Sequence, residues 1–288
     1  MVIKMERNEK LKIYCLWAAS LILGVFGAVC LFIAIKGEYD NALGYFSADS
    51  VFSLAVYCCL AAGAVFGAAG YVFFKKHSAP DRALPGGAFV VIASCVSAAL
   101  ILFSTVYEVM LYAMDGAESV HAVVLASWVL GVLCALSLIC TALFAKSGTV
   151  KAWISLLSFA PALYCASQVL ILYFDQSVAV NSPIKIICQL SYIAVMLVFC
   201  TETGLSLGKG KIFARYIFSL CAAVTICGVC ALAAAAVLVS GAPCNAFSGM
   251  GDVSKVGLFI YVCVRLVSAA SVEATIEQKP EKTEIVEE

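Results

Sequence analysis

Histidine is nearly missing from this chain. Of 288 residues only His77 and His121 carry an imidazole. There is no H-E-x-x-H, no pair of carboxylates one helical turn apart within an apolar run, and no G-x-S-x-G elbow. Acid–base or metal chemistry needs several polar groups converging on one point, and the apolar runs barely supply them. No catalytic residue, metal ligand or cofactor is therefore assigned. An enzyme is disfavoured, with a lipid-modifying one left open. The stretch "GLSLGKGKI" at 204–212 imitates a phosphate-binding loop, but its spacing is one residue too long and Ile212 follows the lysine. It is rejected.

Charge is scarce as well. Only 12% of residues are Asp, Glu, Lys or Arg, and the 18 basic and 18 acidic residues balance. Nothing in that balance suggests a nucleic-acid partner. With 64% apolar residues and a mean hydropathy of +1.04, the chain carries more apolar surface than a water-soluble fold can hide. Its natural solvent is the lipid bilayer, which a helix of about 20 apolar residues crosses.

Eight apolar runs stand out, near 13–35, 51–74, 87–113, 120–145, 152–174, 184–206, 212–239 and 254–271. Lipid leaves no unpaired backbone group unpenalised, so isolated runs of this length are helices. None shows the period-2 alternation of a barrel strand. The reading is an all-α polytopic membrane protein, a bundle of eight transmembrane helices with short loops. A basic tail (1–12) precedes the membrane domain (13–271), and an acidic tail (272–288), expected to be disordered, follows it. The first run is too long for a signal peptide and no small-residue cleavage site follows, so it reads as an uncleaved span. The eighth is the weakest, because Lys255 opens it and Arg265 sits inside it.

The loops place 15 of the 18 basic residues on one side, against Lys36, Lys185 and Lys255 on the other. Positive residues stay on the cytoplasmic face. Both termini are therefore expected in the cytoplasm, and the short loops suggest a bacterial plasma membrane.

Within the runs, "GAVFGAAG" sets Gly63 and Gly67 in a G-x-x-x-G pair. Small residues let helix backbones approach in lipid; packing inside the bundle is the main reading and a homodimer interface the other. Pro161 is the one proline expected inside a span, where it predicts a bend in helix 5. Near the cytoplasmic end of helix 6, Glu202 is expected to pair with Arg215, or else with Arg265, whose long stem can snorkel to the surface.

Ionisable groups inside a membrane are functional pointers. Glu108 falls about 12 Å outward of the middle of helix 3, and Gln168 and Gln189 about 8 Å outward of theirs, at the helical rise per residue. His121 starts helix 4 on that side. These four are expected to form an outward-leaning polar layer that binds a small solute. The plainer alternative is that Glu108 meets water and the glutamines bond neighbouring helices. The chain thus reads first as a transporter or permease-like protein for a small solute. The competing class is a non-catalytic membrane partner: a sensor, a scaffold or a subunit of a larger complex.

Fifteen cysteines look like a signal. At this frequency chance predicts roughly 0.8 pairs at i,i+3, close to the single pair found, Cys227 and Cys230 in "TICGVC". Lying near the bilayer midplane, where thiolates are disfavoured, that pair is expected to pack as small apolar side chains.

Overall fold

The computed structural model describes residues 7–79, 86–114, 121–147, 156–175, 179, 181–247, 249–272 and 275–276. Among these, eight α-helices dominate: α1 Arg7–Gly37, α2 Val51–Phe74, α3 Ala88–Met114, α4 Ala122–Ser147, α5 Ala160–Phe174, α6 Pro183–Ser206, α7 Phe213–Ser240 and α8 Val253–Ser268. Six stretches are long and apolar enough to cross a membrane: Arg7–Gly37, Val51–Phe74, Ala88–Met114, Ala122–Leu143, Pro183–Ser206 and Gly210–Ser240. Six helices agree with the apolar runs to within three residues, whereas α1 begins at Arg7, inside the expected basic tail, and α5 at Ala160, well after the start of its run. Ser50 accepts a hydrogen bond from Ser53 N at 3.0 Å and so starts α2.

α7 is the axis. It packs on α1, α2, α6 and α8, while α3, α4 and α5 complete a ring that joins α8 to α6. Two thirds of the apolar stretch of α7 is buried (67%), against 22% for α2. The outward surface stays greasy: Phe89 is 80% exposed and Val239 88%. Such large exposed apolar side chains fit a lipid surround.

The glycines of α2 face α7. A Cβ on Gly63 would sit 2.7 Å from the Thr225 Cβ, and one on Gly67 would meet the Phe218 carbonyl at 3.0 Å. On α1, Gly24 approaches the α7 backbone in the same way, 3.2 Å from the Val224 carbonyl. The G-x-x-x-G face is therefore taken up inside the bundle, leaving Gly63 and Gly67 no surface to offer a second copy.

Two small tertiary ties close the ends. At one, strands β1 Tyr39–Asp40 and β2 Tyr45–Phe46 form a hairpin. The Asn41 side chain then reaches across, donating to the Pro243 carbonyl and accepting from Asn245 N, both at 3.1 Å. At the other end, β3 His77–Ser78 pairs with β4 Thr275–Ile276, the start of the acidic tail. His77 also contacts Glu9 at 2.5 Å, so the beginning of α1 and the segment after α8 lie at the same end of the bundle. The glycine-rich turn between α6 and α7 packs here too. Gly208 adopts φ +87°, and Gly210 presses so closely on Ala79 that a Cβ would meet its carbonyl at 2.1 Å. These glycines serve a tight turn, which accounts for the phosphate-loop imitation.

Helix 5 differs from expectation. The described helix begins at Ala160, after a turn at Ser158–Phe159, with Pro161 in its first turn. A proline there lacks only an N–H that would have no partner anyway. Leu156 and Leu157 are helical just before that turn, so the helical path is interrupted at Ser158–Phe159 and restarts with Pro161 in its first turn; residues 151–155 lie outside the described ones.

The Gly63 contact makes a prediction. Gly63→Ala should lower stability in detergent by about 1–3 kcal/mol through overpacking against Thr225, with no change in oligomeric state. Thermal unfolding and light scattering on the purified variant check both parts. A dissociating oligomer would restore the dimer reading.

Candidate functional site

The residues expected to form one polar layer are dispersed. Gln168, buried on α5, donates to the Ser127 hydroxyl of α4 at 2.8 Å. That bond ties two helices, as the plainer alternative held. Gln189 is half-buried on α6 and His121 is exposed just before α4. No hydrogen bond joins any two of the four among the described residues.

Glu108 has other company. It lies half-buried on α3, within electrostatic reach of Asp252 and Lys255 at the start of α8. Lys255 is 3% exposed and forms an ion pair with Asp252, itself 6% exposed. Asp252 occupies the cap position of α8, yet its side chain makes no capping bond; one oxygen turns instead to the lysine one helical turn on. The other oxygen, Oδ2, is buried without a hydrogen-bond partner among the described residues.

Around this pair, α3, α5, α6 and α7 close in. From α3, Ser97 and Ser104 donate to the carbonyls of Gly257 and Gly251, at 2.6 and 2.5 Å. Gly257 permits this closeness, since a Cβ there would touch Ser97 O at 3.1 Å. From α5 and α6, the hydroxyls of Tyr164 and Tyr192 approach Ser254. The Lys255 ammonium also lies 5.3 Å from the Phe247 ring centroid and 5.9 Å from that of Tyr192, a cation–π arrangement.

Asp252, Lys255 and Glu108 thus converge at the start of α8, and the sequence reading passed over most of this cluster. Lys255 and Asp252 sit three residues apart at the edge of an apolar run, where they read as an outer loop. The i,i+3 spacing of opposite charges was the available signal. Nothing local says that the edge is buried.

At the other end of α8 a second ion pair is buried. Arg265, 1% exposed, pairs with Glu202 of α6. Tyr261 bridges them, donating to Glu202 Oε2 and accepting from Arg265 Nε, both at 2.9 Å. The expected Glu202–Arg215 pair is not formed, because Arg215 points outward from the first turn of α7 and is exposed. Nor does Arg265 snorkel: its guanidinium is held in the core by a carboxylate and a phenol. Beside this pair, Ser137, Thr141, Ser158, Pro161 and Ser206 help to line a cavity of about 10 Å³, room for one water.

The two cysteines of "CGVC" do not pair with each other. Cys227 Sγ donates to the Lys255 carbonyl at 3.7 Å, and Cys230 Sγ lies 3.4 Å from Cys188 Sγ on α6. Both are fully buried.

Removing one member of a buried ion pair leaves the other charge uncompensated, at a cost of about 3–5 kcal/mol. Arg265→Met and Glu202→Gln should each destabilise by that amount, and the double variant Glu202→Gln/Arg265→Met should recover most of it. Denaturant unfolding in detergent measures the cycle; additive losses would show that the two side chains do not interact. No protein-family model, curated protein or solved structure matches this chain.

Proposed function

We propose that the protein is a transporter or permease-like protein for a small solute, with its site at Asp252, Lys255 and Glu108 rather than in a Glu108–Gln168–Gln189 layer. The observation that carries this reading is the unpartnered Oδ2 of Asp252, buried beside Lys255 with Glu108 close by. A buried acceptor without a donor calls for an explanation, and a ligand is one. Two carboxylates face one ammonium there, so the site suits a solute that presents a cation or a hydrogen-bond donor.

The second buried pair, Glu202–Arg265, supports the same reading. Lys255 and Arg265 lie ten residues apart on one helix, about 15 Å by the helical rise. Breaking and remaking ion pairs at two depths is one way to close a pathway at each end in turn. The bundle is read as crossing a bacterial plasma membrane eight times with both termini cytoplasmic. The positive-residue asymmetry supports that orientation, as does the shared end of Glu9, His77 and Ile276.

The competing reading, a non-catalytic membrane partner, draws on a different feature. An apolar groove of about 460 Å³ runs between α1 and α2, lined by Leu23, Phe26, Leu54 and Cys58 among others.

Uptake of a panel of labelled cations and neutral small metabolites into proteoliposomes tests the choice. Asp252→Asn and Glu108→Gln should each reduce uptake of the accepted solute at least tenfold, while Gln168→Ala should leave it within twofold. Uptake unchanged by Asp252→Asn would remove the site. A panel with no uptake at all would favour the partner reading.

A further inference from the structure

Independently of any transport role, the sulfur atoms beside Lys255 form a site of their own. Cys188 on α6 and Cys230 on α7 lie 42 residues apart in sequence, with their Sγ atoms 3.4 Å apart. Lys255 Nζ of α8 donates to Cys188 Sγ at 3.5 Å. Three helices thus bring together two thiols and one ammonium. The other sulfur of "CGVC" is engaged elsewhere, with the Lys255 carbonyl. The thiolate is the nucleophile in disulfide chemistry, and a lysine beside a cysteine supplies its counter-charge.

We propose that Cys188 and Cys230 are a redox-active pair forming a reversible disulfide between α6 and α7, with a lipid-soluble quinone as the oxidant. In this step the two S–H bonds break and one S–S bond forms. Two electrons pass to the quinone ring and two protons end on its oxygens, giving the hydroquinone. A dithiol reverses the step, becoming a disulfide as the two cysteines regain their hydrogens. The oxidant class follows from location. Both cysteines are fully buried in an apolar bundle, so a molecule that reaches them must be soluble in an apolar phase. A quinone dissolves in that phase, whereas a charged oxidant does not. The disulfide would staple α6 to α7 at the edge of the Asp252–Lys255 pair and occupy the sulfur to which Lys255 donates.

The test uses the full chain in lipid nanodiscs, treated with a fully ring-substituted benzoquinone, which cannot alkylate thiols, and in parallel with diamide. Free thiols are then blocked with N-ethylmaleimide and the protein is mapped by mass spectrometry without reduction. The expected result is a linked Cys188–Cys230 peptide in most molecules, reversed by dithiothreitol and abolished in Cys188→Ser and in Cys230→Ser. Linkage by diamide but not by the quinone overturns the assigned oxidant. No linkage with either reagent, or linkage of these cysteines to other partners, overturns the pair itself. Lys255→Met should slow disulfide formation about tenfold; if that variant does not fold, Asp252→Asn/Lys255→Met removes both charges and should slow it equally. An unchanged rate overturns the part given to Lys255.

Discussion

A positive charge cannot rest alone in a hydrocarbon-like interior, and that constraint organises this bundle. α8 carries two buried cations, and each must find a carboxylate within the protein. Lys255 finds Asp252 on its own first turn, with Glu108 of α3 nearby. Arg265 finds Glu202 on α6 and completes the arrangement through Tyr261. The second pair ties α8 to α6 across the bundle, while the serines of α3 bond the start of α8 from the opposite side. A shift of α8 along its axis would separate Arg265 from Glu202 and break these serine bonds together, so its register is strongly determined. This explains how a helix of 16 residues, too short to be recognised as a span by length, holds a fixed place.

The other half of the bundle is held by shape. Lipid offers helices no hydrophobic drive to associate, so close backbone contact matters more. Gly24, Gly63 and Gly67 let α1 and α2 lie against α7 at distances that a methyl group would block. The two modes are complementary. Shape fixes α1, α2 and α7, leaving the charged chemistry to α3, α6 and α8.

The candidate site grows from that division. Where α8 begins, the helix start, the ion pair and two sulfur atoms meet in a region built from five helices. Asp252 serves Lys255 with one oxygen and leaves the other buried and unpartnered. The thiol contact of Cys188 with Cys230 adjoins the same ammonium. Chemistry proposed for either feature therefore bears on the other through Lys255.

Much of the architecture was legible because its cause is local. Apolar run lengths located six of the helices to within three residues, since those helices end where their apolar composition does; α1 runs on into the charged residues from Arg7. Helix 5 shows the limit. Pro161 announced a discontinuity, but whether a proline bends a helix or begins one depends on the residues before it, which here form a turn at Ser158–Phe159. The polar residues were harder. Glu108 was singled out by its cost in lipid, and it does lie near other charges. Gln168 and Gln189 lie on the same outward side but not in its surroundings, because depth is a property of one helix and proximity a property of several.

What the sequence determined by itself is therefore the solvent and the helical class: composition alone demands lipid, and lipid demands helices. Only the tertiary structure decided the partners. It directed Gly63 to Thr225 rather than to a second copy, Glu202 to Arg265 rather than Arg215, and Cys230 to Cys188 rather than Cys227. Each choice turns on which helix faces which, and at what rotation. Apolar periodicity specifies that only weakly when every face of a helix is greasy.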